Sequence, residues 1–311
     1  MDWYYIVLIV ILVIFILLLL LTYICFKMTF YSKNEKRIND DISIPNDEIH
    51  QEFKDDIFQD ITDVRKLSYK EYSIKSHDGL ILTGKFYESI KGAPIEVMFH
   101  GYRGSAEIDL STGVKRAFLC GRNVLLVNQR ASNGSEGHVI TFGIKERFDC
   151  VDWANFVVNE FGPHVEIILT GISMGAATVL MAGSMNIPDN VIGILADCGY
   201  NKPKDIIMKV VEDMKLPAKL IYPFIKLSAR LFGKFNLEEY SPYESVKKMK
   251  VPVFFVHGTN DTFVPCYMSQ KLFNACVTKK VLVTINDAKH GTSYMKDPEK
   301  YISELNKFFK K

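Results

Sequence analysis

The chain has 311 residues, 24% charged and 48% hydrophobic, with a formal net charge of +2. That is an ordinary globular composition with length for one large core, and its scattered Lys and Arg give no argument for nucleic-acid binding. The six cysteines form no C-x-x-C pair and have no His at zinc-finger spacing, which argues against structural zinc or a disulfide scaffold and for reduced, mostly buried thiols.

Part of the apolar content sits in one block. From Trp3 to Phe26 the chain reads WYYIVLIVILVIFILLLLLTYICF, without a charge. As a helix this run is roughly 36 Å long, enough to cross a hydrocarbon core of about 30 Å. Trp3, Tyr4, Tyr5 and Tyr23 suit the two interfaces. A cleaved signal peptide fits poorly: no Lys or Arg precedes the run, the run is too long, and no small-x-small site follows. Tyr23-Ile24 before Cys25 are too bulky for a lipoprotein signal. Residues 1–27 are therefore expected to be a retained single-pass membrane anchor. Lys27, Lys33, Lys36 and Arg37 follow the span and only Asp2 precedes it, so the remainder is expected on the cytoplasmic side.

Residues 28–66 are polar and acidic and read as a juxtamembrane linker with one helix resting on the domain. From residue 67 to 311 strand and helix patterns alternate. Tyr72–Lys75 and Leu80–Tyr87 flank SHDG and read as a hairpin. Short apolar runs at Ile95–Phe99, Val124–Val127, Val165–Leu169, Val191–Ala196, Val251–Val256 and Val281–Ile285 suit strands buried on both faces of a parallel sheet. Between them, Ile144, Phe148, Val151, Ala154, Val158 and Phe161 step by three or four along one helix face. Residues 298–311 form a last helix, with Ile302, Leu305 and Phe308 or Phe309 inward. The alternation predicts a doubly wound α/β sheet. One interval, about residues 200–247, is too long for a single crossover helix. It carries two amphipathic stretches, one with Ile206, Ile207, Val210, Val211 and Met214, the other with Leu220, Ile221, Phe224, Leu227, Leu231 and Phe232. It reads as a helical lid.

The chemistry-bearing motif is Gly171-Ile172-Ser173-Met174-Gly175. A lone G-x-S-x-G is weak, arising by chance in roughly a tenth of chains this long. Here it follows a strand and opens a helix, the setting that a nucleophile on a sharp turn requires. A serine hydroxyl needs a base. Among seven histidines, His290 in DAKHG stands late in the chain at the C-terminal edge of the last strand. His50 lies in the linker, His77 in a hairpin turn and His164 at the wrong end of a strand. Asp261, in VFFVHGTNDTFVP, is the acid expected to orient His290, with Asp197 as runner-up. The order Ser173, Asp261, His290 gives nucleophile, acid and base. The oxyanion donors are expected to be the backbone N–H groups of Met174 and of Tyr102 in HGYRGS. His100 in the same loop reads as a loop-shaping residue.

Together HGYRG, GISMG, HGTND and KHG, in this order over about residues 69–311, resemble the α/β-hydrolase superfamily. More narrowly, VNQRASNGSEG at 127–137 resembles the D-x-R-G-x-G-x-S-x-G turn of bacterial membrane-associated hydrolases, with Asn128 in place of the Asp and Ala131-Ser132 in the usual glycine region. The resemblance implies an α/β-hydrolase fold with about eight mostly parallel strands and a helical lid. It also implies hydrolysis of an ester or thioester without cofactor or metal. A small-molecule or lipid acyl substrate is the expected partner, with the membrane engaged through residues 3–26. Serine aminopeptidase-type activity is the rival reading, with Glu238 and Glu239 as acids near the lid. A binding protein on a hydrolase fold that had lost catalysis would be expected to lack a triad position, and none is missing.

Overall fold

A computed structural model of the chain describes residues 3–34 and 51–309. Lys36, Arg37, His50 and the first part of the acidic stretch lie outside the described residues.

Helix α1 (Trp3–Thr29) has 27 residues and is long and apolar enough to cross a membrane. Most of it is exposed, but Thr22, Cys25 and Phe26 near its end are buried. The chain then continues against the rest of the protein. Phe30 is fully buried, Ser32 N–H donates to the His138 carbonyl, and Ile140 N–H donates to the Phe30 carbonyl. The stretch expected to be a linker is therefore packed at both of its ends. Its far end forms α2 (Lys54–Lys66), which turns Ile57, Ile61 and Val64 inward at helical spacing.

The remaining elements alternate. A hairpin of β1 (Lys70–Lys75) and β2 (Ile81–Tyr87) is followed by β3 (Ile95–Phe99), α3 (Ala106–Leu119), β4 (Asn123–Val127) and α4 (Glu146–Phe161). Then come β5 (Ile167–Ile172), α5 (Met174–Ala182), β6 (Val191–Asp197), α6 (Pro203–Asp213), α7 (Ala218–Leu231) and α8 (Pro242–Val246). The chain closes with β7 (Val253–Gly258), α9 (Tyr267–Ala275), β8 (Lys280–Ile285), α10 (Ser293–Lys296) and α11 (Pro298–Phe309). The eight strands form one sheet in the order β1-β2-β4-β3-β5-β6-β7-β8. Only β2 runs antiparallel to its neighbours; the other pairings are parallel. The residues of β3, β4 and β7 are all buried, as their unbroken apolar runs require.

Helices cover both faces. Trp153, Ala154 and Val157 of α4, Val179 and Leu180 of α5 and Leu272 of α9 fill one side. Leu110, Val114 and Ala117 of α3 fill the other beside β3 and β4, and Tyr301, Leu305 and Phe308 of α11 do so beside β6–β8. A polar core lies under α3, where Glu96 on β3 is fully buried and accepts from Arg116, Arg122 and Thr170. Burial raises the affinity of its carboxyl for a proton, but the two guanidinium groups outweigh this and hold it at about 2.

Two inward faces differ from expectation. On α4 the fully buried stripe is Cys150, Trp153, Ala154 and Val157, while Phe148, Val151, Val158 and Phe161 lie at its half-buried margin. The β1–β2 hairpin explains this, because Tyr72 and Phe86 pack on Phe156 and Phe161 from the side. On α7 the buried residues are Ala218, Tyr222, Ile225 and Ala229, whereas Leu220, Leu227 and Leu231 are exposed.

Candidate active site

Parallel pairing aligns the C-terminal ends of the central strands. Phe99 stands beside Gly171, Ile172 beside Asp197, and Gly258 beside Ile285. The loops after β3, β5, β7 and β8 therefore open at one edge, which brings Tyr102, Ser173, Asp261 and His290 to the same place.

Ser173 joins β5 to α5 with φ 56° and ψ −115°, a left-handed conformation that costs an ordinary residue of order 1–3 kcal/mol. The flanking glycines have a measurable reason. A Cβ on Gly171 would lie 2.2 Å from the backbone of Gly175, and one on Gly175 would lie 2.0 Å from the Phe99 carbonyl. The Ser173 N–H donates to the Asp197 carbonyl at 2.9 Å, which ties the turn to the next strand.

His290 Nε2 is 3.0 Å from Ser173 Oγ, and His290 Nδ1 is 2.7 Å from Asp261 Oδ2. An ionised carboxylate only accepts, so Nδ1–H points at Asp261 and Nε2 is free to accept the serine proton. Asp261 is buried and fully partnered. Its Oδ1 accepts the N–H groups of Phe263 and Val264 at 3.0 and 2.8 Å. Its Oδ2 is shared by His290 and by His257 Nε2 at 3.1 Å. Burial raises the Asp261 pKa, but the hydrogen bonds from His257 and His290 outweigh it and hold the carboxyl at about 2.

His257 is a residue that motif reasoning passes over. It is fully buried on β7. Its Nε2 also lies 2.7 Å from the Val264 carbonyl, and its Nδ1 lies 2.7 Å from Ser269 Oγ. Two acceptors at Nε2 make that atom the donor. The signal was the spacing within HGTND, which returns His257 to Asp261.

Asp197 stands at the end of β6 but does not reach His290. Its Oδ2 accepts from the buried Tyr301 hydroxyl at 3.1 Å, and its Oδ1 is buried without a partner. Burial raises its pKa to about 6. Cys198, the next residue, places Sγ 4.0 Å from His290 Nε2, and burial pushes this thiol well above its usual range.

The loop after β3 crosses in front of Ser173. Gly101 lies so near that a Cβ there would sit 3.6 Å from Ser173 Cβ. The Gly101 N–H is taken by Asp109 Oδ2 at 2.9 Å, so the next backbone donor along the loop is that of Tyr102. Met174 opens α5, where first-turn N–H groups have no partner within the helix. His100 points away from the serine: its Nδ1 lies 2.8 Å from the Gly101 carbonyl, and its Nε2 accepts Gln129 N–H at 3.0 Å. The same loop grips the end of α1. The Tyr102 hydroxyl donates to the Thr29 carbonyl at 2.8 Å. Arg103 Nη2 donates to the carbonyls of Met28, Tyr31 and Lys27 at 2.8, 3.1 and 3.3 Å.

In the segment 127–137, Asn128 Nδ2 donates to the Asn133 carbonyl at 3.2 Å. Ala131 takes φ 60°, where the resemblance has glycine. Arg130 anchors the turn from inside through paired bonds to Asp149 and Asp78.

An esterase of Pyrococcus furiosus, Pf2001, superposes with a TM-score of 0.66 at 21% identity, covering 89% of this chain and 97% of its own. The chain has the α/β-hydrolase fold. An acylaminoacyl peptidase of Pyrococcus horikoshii shares the fold with a TM-score of 0.57 at 18% identity, over 78% of this chain but 41% of the peptidase. By sequence, the prolyl oligopeptidase family pattern matches residues 222–311, the part of this fold that holds Asp261 and His290 but not Ser173. An uncharacterized protein of Bacillus subtilis, YqkD, is 25% identical over 189 residues. That match spans 60% of this chain and 62% of the relative, so the chain covers less than two thirds of YqkD.

Proposed function

We propose that the protein is a membrane-anchored serine hydrolase acting on carboxylic esters or thioesters of apolar acyl groups. The observation that carries this reading is the continuous chain Ser173 Oγ, His290, Asp261, with contacts of 3.0 and 2.7 Å. Ser173 Oγ attacks the acyl carbonyl while His290 Nε2 takes its proton. The Tyr102 and Met174 N–H groups receive the developing oxyanion. His290 returns the proton to the leaving group, then activates a water that releases the acyl group from Ser173. Asp261, ionised throughout, holds the imidazolium.

A peptidase is the second reading, favoured by the prolyl oligopeptidase pattern and the acylaminoacyl peptidase likeness. Binding a free amine calls for an unpaired acid near the lid. Glu238 is held by Lys226 and Tyr222, and Glu239 by Arg147 at 2.7 Å. This supports acyl esters over aminopeptidase substrates. The anchor is read from α1 and its cytoplasmic orientation from the basic residues after it.

A fluorophosphonate probe tests the nucleophile: wild type is labelled and Ser173→Ala is not. Equal labelling of both removes Ser173 from its role. An ester panel of graded chain length, run beside peptide anilides, separates the two substrate classes. Protease treatment of intact cells should leave the domain uncut if it is cytoplasmic.

A further inference from the structure

The outward stripe of α7 needs a partner. Leu220, Leu227 and Leu231 recur at helical spacing on one side, and all three are exposed, Leu220 at 70%, as is Leu216 just before the helix. The opposite side of α7, with Tyr222, Ile225 and Ala229, is buried in the cluster that also holds Met174, the neighbour of Ser173. A helix apolar on both sides lies inside a protein or in lipid. Contiguous exposed apolar surface of this kind marks an interaction site.

Charge and position choose the partner. From Met214 to Lys234 the sequence holds five Lys or Arg residues and no Asp or Glu. Lys226 pairs with Glu238. Lys215, Lys219, Arg230 and Lys234 form no ion pair with a described acid. An apolar stripe fringed by cations is the composition of helices that lie in a membrane interface. Phe232, which ends α7, packs its ring 5.3 Å from Tyr23 and 5.7 Å from Phe26 of α1. Those aromatics belong to the last turns of the apolar helix, at the level where it would leave the hydrocarbon for the headgroups. A bilayer crossed by α1 therefore lies beside the stripe if α1 is the anchor.

We infer that α7 docks on the surface of the bilayer that α1 crosses. Leu220, Leu227 and Leu231 enter the acyl boundary, and Lys219 and Arg230 face anionic headgroups. The lid is then held against lipid, and an acyl substrate reaches Ser173 from the membrane side. This rests on the reading of α1 as a membrane anchor.

The test uses the full chain in lipid nanodiscs, with a photoreactive benzoylphenylalanine in place of Leu12, Leu119, Leu220 or Leu227. Leu12 lies in α1 and Leu119 ends α3; both are exposed. After illumination, mass spectrometry should find lipid adducts at 12, 220 and 227 and none at 119. Lys219→Glu combined with Arg230→Glu should lower the adduct yield at 227 at least two-fold in phosphatidylserine-containing discs. Adducts at 12 but not at 220 or 227 overturn the docking and leave the anchor standing. No adduct at 12 overturns the anchor, and the docking with it. Cross-links from 220 or 227 to protein assign the stripe to a second copy or another chain and overturn the inference.

Discussion

Asp197 ends β6 and Asp261 follows the adjacent β7, and the two differ in everything that matters to a carboxylate. Asp261 receives hydrogen bonds on both oxygens and stays ionised with a pKa near 2. Asp197 has one bare oxygen and a pKa raised to about 6. Asp261→Asn should therefore lower kcat on a short ester about 10³- to 10⁴-fold, by removing the ion that orients His290. Asp197→Asn should leave most activity and change stability instead. With a folded pKa above the unfolded value, the native state keeps a proton that the unfolded state loses, so stability falls as pH rises from about 4 to about 6. Removing that group should raise stability at pH 8 by about 1–3 kcal/mol, with the gain vanishing below pH 4. Thermal unfolding of both proteins across that range measures it; a gain that persists at pH 4 contradicts the assignment. That Ser173, Asp261 and His290 meet at one edge was legible because each sits in a short motif just after a strand. The support from His257 was not, because it depends on the turn through Val264 folding back onto its own strand. His257→Phe should lower kcat about ten-fold by withdrawing one donor from Asp261, and His257→Gln, which keeps a donor, should recover part of it.

At the scale of elements, periodicity identifies a stripe but not its direction. The strands were legible because runs buried on both faces have no direction to mistake. On α4, the β1–β2 hairpin beside the sheet moved the buried side away from the stripe that the sequence displays, and on α7 the buried side carries Ala218, Tyr222, Ile225 and Ala229 while the leucines face out. The loop from Gly101 to Gly104 is the element with two duties. One end faces Ser173, and the other, through Tyr102 and Arg103, binds carbonyls at the C-terminal end of α1, where a cation also complements the helix dipole. Arg103→Ala should cost about 1–2 kcal/mol of stability in detergent and loosen the loop. Its kcat should fall more than its KM rises, which ester kinetics read directly. An equal change in both parameters would mean that the loop positions substrate and not the oxyanion.

For the whole molecule, the end of α1 is built into the domain that follows it. Cys25, Phe26 and Phe30 belong to one buried cluster with Phe142, Tyr222 and Phe235. The rings of Phe142 and Phe235 meet Phe30 edge-on at 5.8 and 5.2 Å. Past the helix, Tyr31 forms an antiparallel bridge to Val139. Hydropathy alone marked where the apolar run ends, and it carries no information about Phe30, whose ring partners Phe142 and Phe235 come from distant parts of the chain. Deleting a fully buried phenylalanine leaves a cavity that neighbours fill only in part, at a cost of about 3–5 kcal/mol. Phe30→Ala should lower stability by that amount in the full chain. A fragment beginning at residue 51 should lose at least as much, while one beginning at residue 22 keeps the cluster. Urea unfolding of these proteins in one detergent compares them. If the fragment beginning at residue 51 is as stable as the one beginning at residue 22, the end of α1 adds nothing to the domain and the loop through Tyr102 and Arg103 stands without it.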